Sequence, residues 1–486
     1  MRIYDDLYGL IDFTDEEREV IQHPYFQRLR RVSQLALAHY VFPGATHTRF
    51  SHSLGVAHLA GLLAHELGLP IAERRLLRIA ALMHDIGHFP LSHSLESVYE
   101  TELNRRLVPP NLSDGTTLPP QIDFLDYSAT SEQRPSPHEI MSSHLVTHSS
   151  IADRVRDCGV DPTEVAQLIR GHHQSVHLNQ IVHSDLDVDT MDYLRRDAKA
   201  TGINYGEFAL TYLLRNLSLE IAEDDIKLLC VNRKALHTVE HFVLARHFYY
   251  LQILYHKKRL IYDYIAQIIA KWLLDKGLLP GINELGEWIG SGLFSRFDDH
   301  YFMQRIHDWL DNSHDTSPSP VQRKLCEVLL NRRVVSEKIG REYSLLHDSQ
   351  QNDVGEYEAE RRTILREYQE SYLHEGSDFV EKNKLSERNL LADEEIRAAI
   401  ESDHPLFPLV IEKRPIYRTY METRLKARDQ SPKPNPLLEK ETIKVLVEET
   451  GNRRVKNINE LDYSMVEWLS KRTVFLLRYY FICKDE

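Results

Sequence analysis

Leu54, Leu59, Leu62 and Leu63 recur at helical spacing, and Leu76, Ile79, Ala80 and Met83 repeat the pattern shortly afterwards. Gly68-Leu69-Pro70 interrupts the two runs, which predicts two helices packed side by side. His52 stands at the head of the first run and His84-Asp85 at the tail of the second, so this hairpin can bring them to one point. Upstream, Thr14 with Glu17 three residues on is a capping box that opens a short helix. Tyr25, Phe26, Leu29, Val32, Leu35 and Ala36 mark a second helix, ended near Pro43-Gly44. Residues 106–137, rich in Pro, Ser, Thr, Asp and Gly, read as a long surface loop beside the site, placed as a lid would be.

His138-Glu139 opens the next helical run, and residues 160–183 hold another. Residues 205–230 alternate loosely, as short strands do, and Lys234 to Lys276 reads as one long helix. Residues 350–404 are highly charged and thinly apolar, which predicts solvated helices or a partner surface. Beyond 405, PLFPLVIE and TIKVLVEE are β-like, and SMVEWLSKRTVFLLRYYFI reads as a closing helix. The fold class expected is therefore mainly α: a helical core over 1–275, then a mixed, mostly helical C-terminal region over 276–486 with a role in assembly.

Composition narrows the function. Twenty glycines in 486 residues fall below the usual ~7% and fit a helical chain. A formal charge of -14 argues against nucleic-acid binding as a main role, which needs a basic face. Cys158, Cys230, Cys326 and Cys483 are scattered without a CxxC pair, so a cysteine-based metal site is excluded and free thiols are expected. No apolar run approaches the ~18 residues of a membrane span. A soluble, cytoplasmic protein without a membrane partner is expected.

Histidine is concentrated where chemistry is expected: 16 of 26 lie before residue 184. A single histidine on an apolar face is ordinarily a core residue. Here His84, His88 and His93 follow one another in HDIGHFPLSH, with His84 and His88 one helical turn apart. Imidazoles plus a carboxylate form a mixed N/O shell for Mn, Fe, Zn, Ni, Co or Mg. A further carboxylate is needed, and Asp185, Asp187, Asp189, Asp192 and Asp197 crowd thirteen residues. Such an acidic turn can also do no more than complement a helix dipole.

TRFSHSLGV, LMHDIGHFPLSH, SPHE and DVDTMDYLRRD, in this order and spacing, resemble the HD superfamily. More narrowly, with FQRLRRVSQLALAHYVFPGATHTRFSHSLGV, the chain is similar over about residues 1–270 to the deoxynucleoside triphosphate triphosphohydrolases, the dGTPase-like and SAM-and-HD-domain enzymes. The resemblance implies an HD-domain helical core and a divalent metal on His52, His84, Asp85 and Asp189. It implies His138 as the catalytic histidine, with His88 and His93 near the phosphates. Gln34 and Arg49 fall on nucleotide contacts, Tyr193 and Asp197 on sugar and phosphate contacts, and Arg246 on a phosphate-binding arginine. Lys257 joins these as a cation for the triphosphate, and Tyr255 stands one residue from the family's tyrosine. The reaction implied is hydrolysis of a dNTP to deoxynucleoside and triphosphate, in nucleotide-pool control or phage defence, by a homo-oligomer.

Phosphate chemistry of other kinds lacks its motifs: there is no GxxxxGK[ST] and no GxGxxG opening a helix. Two further readings stay open. One is an HD enzyme acting on a cyclic, oligomeric or monophosphate nucleotide; the other is a binding module with a degenerate site. The chain also departs from the regulated members. DDLYG replaces their DPIHG-like segment and Gln22 replaces an acidic residue, although Gln27 and Arg30 are retained, which argues against activation by a nucleotide in their manner.

Overall fold

Two antiparallel strands, β1 (Arg2–Asp5) and β2 (Gly9–Asp12), precede α1 (Asp15–Gln22). The capping box forms as expected: the Thr14 side chain accepts the Glu17 amide, and the Glu17 carboxylate accepts the Thr14 N–H at 2.9 Å. The computed structural model describes residues 1–106, 135–221, 225–311, 317–333, 335–346, 407–413, 443–449, 452–458, 461, 464–466 and 472–482. The lid-like stretch 107–134, the charged segment 350–404 and Cys483 lie outside them. No described helix is long and apolar enough to cross a membrane.

The helix expected from Tyr25 to Pro43 is shorter than that. It is α2 (Pro24–Arg28) followed by two 3-10 turns, Leu29–Arg31 and Ala36–Tyr40. The cause lies in the backbone between them. The Ser33 amide donates to Asp299 Oδ2 at 2.9 Å and the Gln34 amide to the His47 carbonyl at 3.1 Å. Amides committed outward cannot close i→i−4 bonds.

The hairpin stands as expected: α3 (Arg49–Glu66) packs along α4 (Ile71–Met83). Gly68 (φ +65°) ends α3 in a Schellman turn, its amide donating to the His65 carbonyl and that of Leu69 to the Ala64 carbonyl. Leu54, Leu59 and Leu63 are buried, but Leu62 is 42% exposed. Val56, Ala57 and Ala60 are buried instead, so α3 is covered on nearly every face and forms the centre of this unit.

Around α3 and α4 lie α5 (His93–Arg106), α6 (Pro137–His148), α7 (Ile151–Asp157), α8 (Pro162–Ile169), α9 (Val176–Val182) and α10 (Val188–Thr201). A short α11 (Leu210–Leu214) leads to β3 (Leu217–Ile221) and β4 (Lys227–Asn232), an antiparallel pair where short strands were expected. The long helix expected from Lys234 to Lys276 is broken. It comprises α12 (Leu236–Tyr249), a π-helical turn Tyr250–Leu254 and α13 (Lys257–Asp275), with His256 extended between the last two. Then come α14 (Ile282–Ser291) and α15 (Asp299–Asp311).

Two compact units are formed: Met1–Ser317 with Leu437–Lys456, and Pro318–Pro436 with Asn457–Glu486. The first therefore runs past residue 275. The second includes α16 (Pro320–Leu330), β5 (Val335–Leu346) and β6 (Phe407–Lys413). β7 (Lys444–Glu449) returns to the first unit and pairs in parallel with β4, and β8 (Asn452–Asn457) completes the sheet order β3-β4-β7-β8. The closing helix expected near 464–482 is corrected: Arg472–Ile482 is β9, the central strand between β5 and β6. A largely apolar run rich in aromatic residues is ambiguous by periodicity, and β-branched and aromatic residues suit a strand.

Candidate active site

Asp187 caps α10, accepting the Thr190 amide at 2.7 Å and the Ser184 amide at 2.9 Å. The helix dipole is thereby served by Asp187, and Asp189, in the first turn, is left to face the hairpin. Its Oδ1 lies 2.8 Å from His52 Nε2 and 3.8 Å from His84 Nε2. The two Nε2 atoms are 3.3 Å apart, and Asp85 Oδ2 stands 3.6 Å from that of His52 and 3.4 Å from that of His84. Ligand atoms on bonds of about 2.1 Å sit roughly 3.0–3.4 Å from one another; His52, His84 and Asp189 group at a spacing that could hold a metal ion, and Asp85 stands against both imidazoles.

The outer bonds suit the same purpose. His52 Nδ1 is 2.7 Å from Asp192 Oδ2, and His84 Nδ1 is 2.7 Å from the Ala81 carbonyl. With the ring protons assigned to those bonds, both Nε2 lone pairs point inward as a metal requires. Burial alone would strip His52 of a proton, but bonds to Asp189 and Asp192 lift it to about 10. A divalent cation entering here would displace that proton.

Beside these donors is a second cluster. His93 follows Ser92 at the start of α5, and Glu96 stands one turn further along. Glu96 Oε2 is 2.6 Å from His93 Nδ1, and Oε1 is 2.7 Å from His138 Nδ1 and accepts the His138 amide at 2.9 Å. His138 stacks on His88, ring centres 4.0 Å apart and planes 11° from parallel. His88 Nε2 in turn lies 3.1 Å from Asp85 Oδ1. Burial lowers the pKa of His138, yet Glu96 outweighs it and raises the ring to about 9. His88, fully buried and facing Arg49 and His138, is pushed well below its ordinary value. Two stacked imidazoles are thus driven apart, one toward acid and one toward neutral.

The approach of α6 to the HD turn depends on one glycine. A Cβ on Gly87 would lie 2.2 Å from the Ser142 amide nitrogen and 2.7 Å from the His138 carbonyl. Ser142 Oγ meanwhile accepts the Gly87 N–H at 2.9 Å and donates to the His84 carbonyl at 2.7 Å. Gly87→Ala is expected to cost about 1–3 kcal/mol, the range for overpacking, and to displace His138. Thermal melts and turnover measured together check this; an unchanged melting temperature would show that α6 yields freely.

Arg49 links these donors to a cleft. Its Nη1 donates to Asp85 Oδ2 at 2.7 Å and its Nε to Ser92 Oγ at 3.0 Å. The cleft is lined by Gln34, Leu35, Ala36, Arg49, Ser92, His93, Asp189, Tyr193, Tyr249, Tyr250, Leu254 and Arg259. Ala36, Leu91 and Ser92 adopt positive φ (50°, 53° and 50°), a costly conformation for non-glycine residues that gathers at working sites. Asp299 holds two of these loops, accepting the Leu91 amide at 2.7 Å as well as that of Ser33.

Of the residues singled out from sequence, His52, His84, Asp85 and Asp189 converge, as do His88, His93 and His138. Gln34, Arg49 and Tyr193 line the cleft with His93 and Asp189. Asp197 is buried between His47 Nε2 and the Tyr249 hydroxyl, both at 2.6 Å. Arg246 pairs with Asp185 at 2.9 Å. Tyr255 follows the π turn, and Lys257 is exposed at the start of α13; neither lines the cleft. Sequence reading did not single out Glu96, Tyr250 or Arg259. Glu96, one turn beyond His93, was the most findable; the other two carry no motif.

Residues 49–197 match the HD domain. An uncharacterized protein of Methanocaldococcus jannaschii is 29% identical over 307 residues, 63% of this chain and 57% of that one. The deoxynucleoside triphosphate triphosphohydrolase SAMHD1 of Bos taurus is 32% identical over 266 residues, 48% of this chain and 40% of that one. The chain thus spans about half the length of these two relatives. A crystal structure of a phosphohydrolase from Bacteroides thetaiotaomicron shares the fold with a TM-score of 0.60, at 21% identity and 99% coverage of both chains. The HD match spans the elements that carry the His52, His84 and Asp189 cluster. Over part of its length the chain is similar to deoxynucleoside triphosphate triphosphohydrolases.

Proposed function

We propose that the protein hydrolyses deoxynucleoside triphosphates to deoxynucleoside and triphosphate, with a divalent metal held by His52, His84, Asp85 and Asp189. The observation that carries this reading is the Glu96–His138 pair beside the four donors. Cleaving a phosphate ester at the sugar oxygen needs an acid for the departing alkoxide, and an imidazole held protonated to about 9 can be that acid.

The metal, when bound, supplies a water of lowered pKa and polarises a phosphoryl oxygen. The chain does the rest. Arg49 and Arg259, both in the cleft lining, offset charge on the phosphates with fixed forks of N–H donors. Tyr193 and Gln34 offer polar contacts from the same wall. As water oxygen bonds to the α-phosphorus, the bond from phosphorus to O5′ breaks. His138 gives its proton to O5′, and the proton lost by the water restores it.

Incubation with each of the four dNTPs and Mn²⁺ or Mg²⁺ tests this, scoring inorganic triphosphate, with ribonucleotides, cyclic nucleotides and monophosphates as parallel substrates. Stoichiometric triphosphate and deoxynucleoside are expected. Release of orthophosphate or pyrophosphate, or hydrolysis confined to a cyclic or monophosphate substrate, overturns it. The same family likeness implies a homo-oligomer built from dimers. Light scattering is expected to give at least a dimer at micromolar concentration, and a fully active strict monomer would sink that expectation.

A further inference from the structure

Behind His52 runs a chain of buried charges that reaches the N-terminal hairpin. Asp192 Oδ2, the partner of His52 Nδ1, also accepts from Arg196 Nε at 2.8 Å, and Asp192 Oδ1 accepts from Arg196 Nη2 at 3.0 Å. The guanidinium therefore grips both oxygens, and the carboxylate cannot rotate without breaking a bond. Arg196 Nη1 leaves α10 to donate to Asp5 Oδ2 on β1 at 2.9 Å. Asp5 uses its other oxygen to accept the amides of Leu7 at 2.9 Å and Tyr8 at 3.0 Å, so the turn fixes its carboxylate. All four side chains are at most 5% exposed, and the Tyr8 ring lies 5.8 Å from the guanidinium carbon. Helix α3 makes room for the pair: a Cβ on Gly55 would sit 2.0 Å from Asp192 Oδ1 and 2.4 Å from Arg196 Nη2.

The HD match begins at residue 49, so the hairpin lies outside it. We propose that the hairpin is nevertheless a working part of the metal centre: Asp5, through Arg196 and Asp192, aims the His52 Nε2 lone pair and sets how tightly the site holds a divalent cation. Asp5 and Arg196 are positioning residues in this account. Without Asp5 the guanidinium has a nearby substitute in Asp6, 3.5 Å away but 68% exposed. A shift toward it would loosen the fork on Asp192 and let the His52 ring turn. The planar fork matters here as much as the charge.

The test measures Mn²⁺ affinity of the full chain by competition with a chelator, with metal-free melting temperatures alongside. Asp5→Asn keeps an oxygen to accept the turn amides but presents Arg196 with a donor. Asp5→Ser keeps a short acceptor that cannot span to Arg196, and Arg196→Lys keeps the charge without the fork. Ile306→Val, buried in α15, serves as a packing control. Each network variant is expected to bind Mn²⁺ about 10–100-fold more weakly, as outer-shell changes do, while the control keeps the parent's affinity. Parental affinity in the variants that fold, or an equal loss in the control, overturns the proposal and leaves the hairpin a structural role. Failure of all three to fold while the control folds overturns it as well. No nucleotide enters this assay, so it stands or falls separately from the substrate reading.

Discussion

Alanine at position 85 is expected to strip the protein of its metal and lower turnover by about 10³-fold or more, on the several kcal/mol that a bound metal contributes. Asp85 Oδ2 faces both ligand imidazoles and accepts from Arg49 Nη1, while Oδ1 faces His88. Its removal takes away a proposed ligand, the anchor of a cleft arginine and the neighbour of the second cluster together. His84→Ala is expected to lose metal likewise while keeping Arg49 in place. Circular dichroism should stay largely helical in both, because the hairpin is held by Leu59, Leu63, Leu77 and Ile79, all buried. Elemental analysis is the deciding measurement. A full complement of metal in Asp85→Ala would remove the centre from these four residues.

The hairpin and its ligands were legible because two requirements coincided in one stretch. Packing demanded leucine and alanine at helical spacing, and the helix ends carried the donors. The capping box of α1 was legible for a similar reason, since Thr14 with Glu17 satisfies amides within three residues. Where the decisive partner is distant in sequence, the reading ran out. Nothing near Ser33 announces that its amide is claimed by Asp299. Nothing between Tyr249 and Lys257 announces a π turn, for there is no proline or glycine to mark it. The π turn nevertheless matters, since it carries Tyr250 and Leu254 to the cleft wall, in keeping with the frequency of such turns at working sites. β9 was misread because a largely apolar run shows neither the helix nor the strand period clearly.

Replacing His138 by alanine is expected to lower kcat by about 10²–10⁴-fold, the usual worth of a positioned proton donor, with metal content and KM near the parent's. The proposed metal site does not include His138, whose ring stacks on His88 beside Asp85. A group acting only in the transition state lowers kcat and leaves KM alone. Its helix does not need the ring either. Glu139 completes the capping box with Ser136, so His138 can be truncated without unwinding α6. The pH profile gives the sharper test. As an acid, His138 works while protonated, so activity should fall as pH rises through about 9. Glu96→Gln removes the charge that holds the proton there. Burial then acts against the proton with less opposition, and the alkaline limb should move to lower pH. Steady-state triphosphate release from pH 6 to 10, with metal measured in each sample, decides the matter. A His138→Ala kcat within about threefold of the parent, or an alkaline limb that Glu96→Gln leaves in place, would take the acid's role away from this histidine.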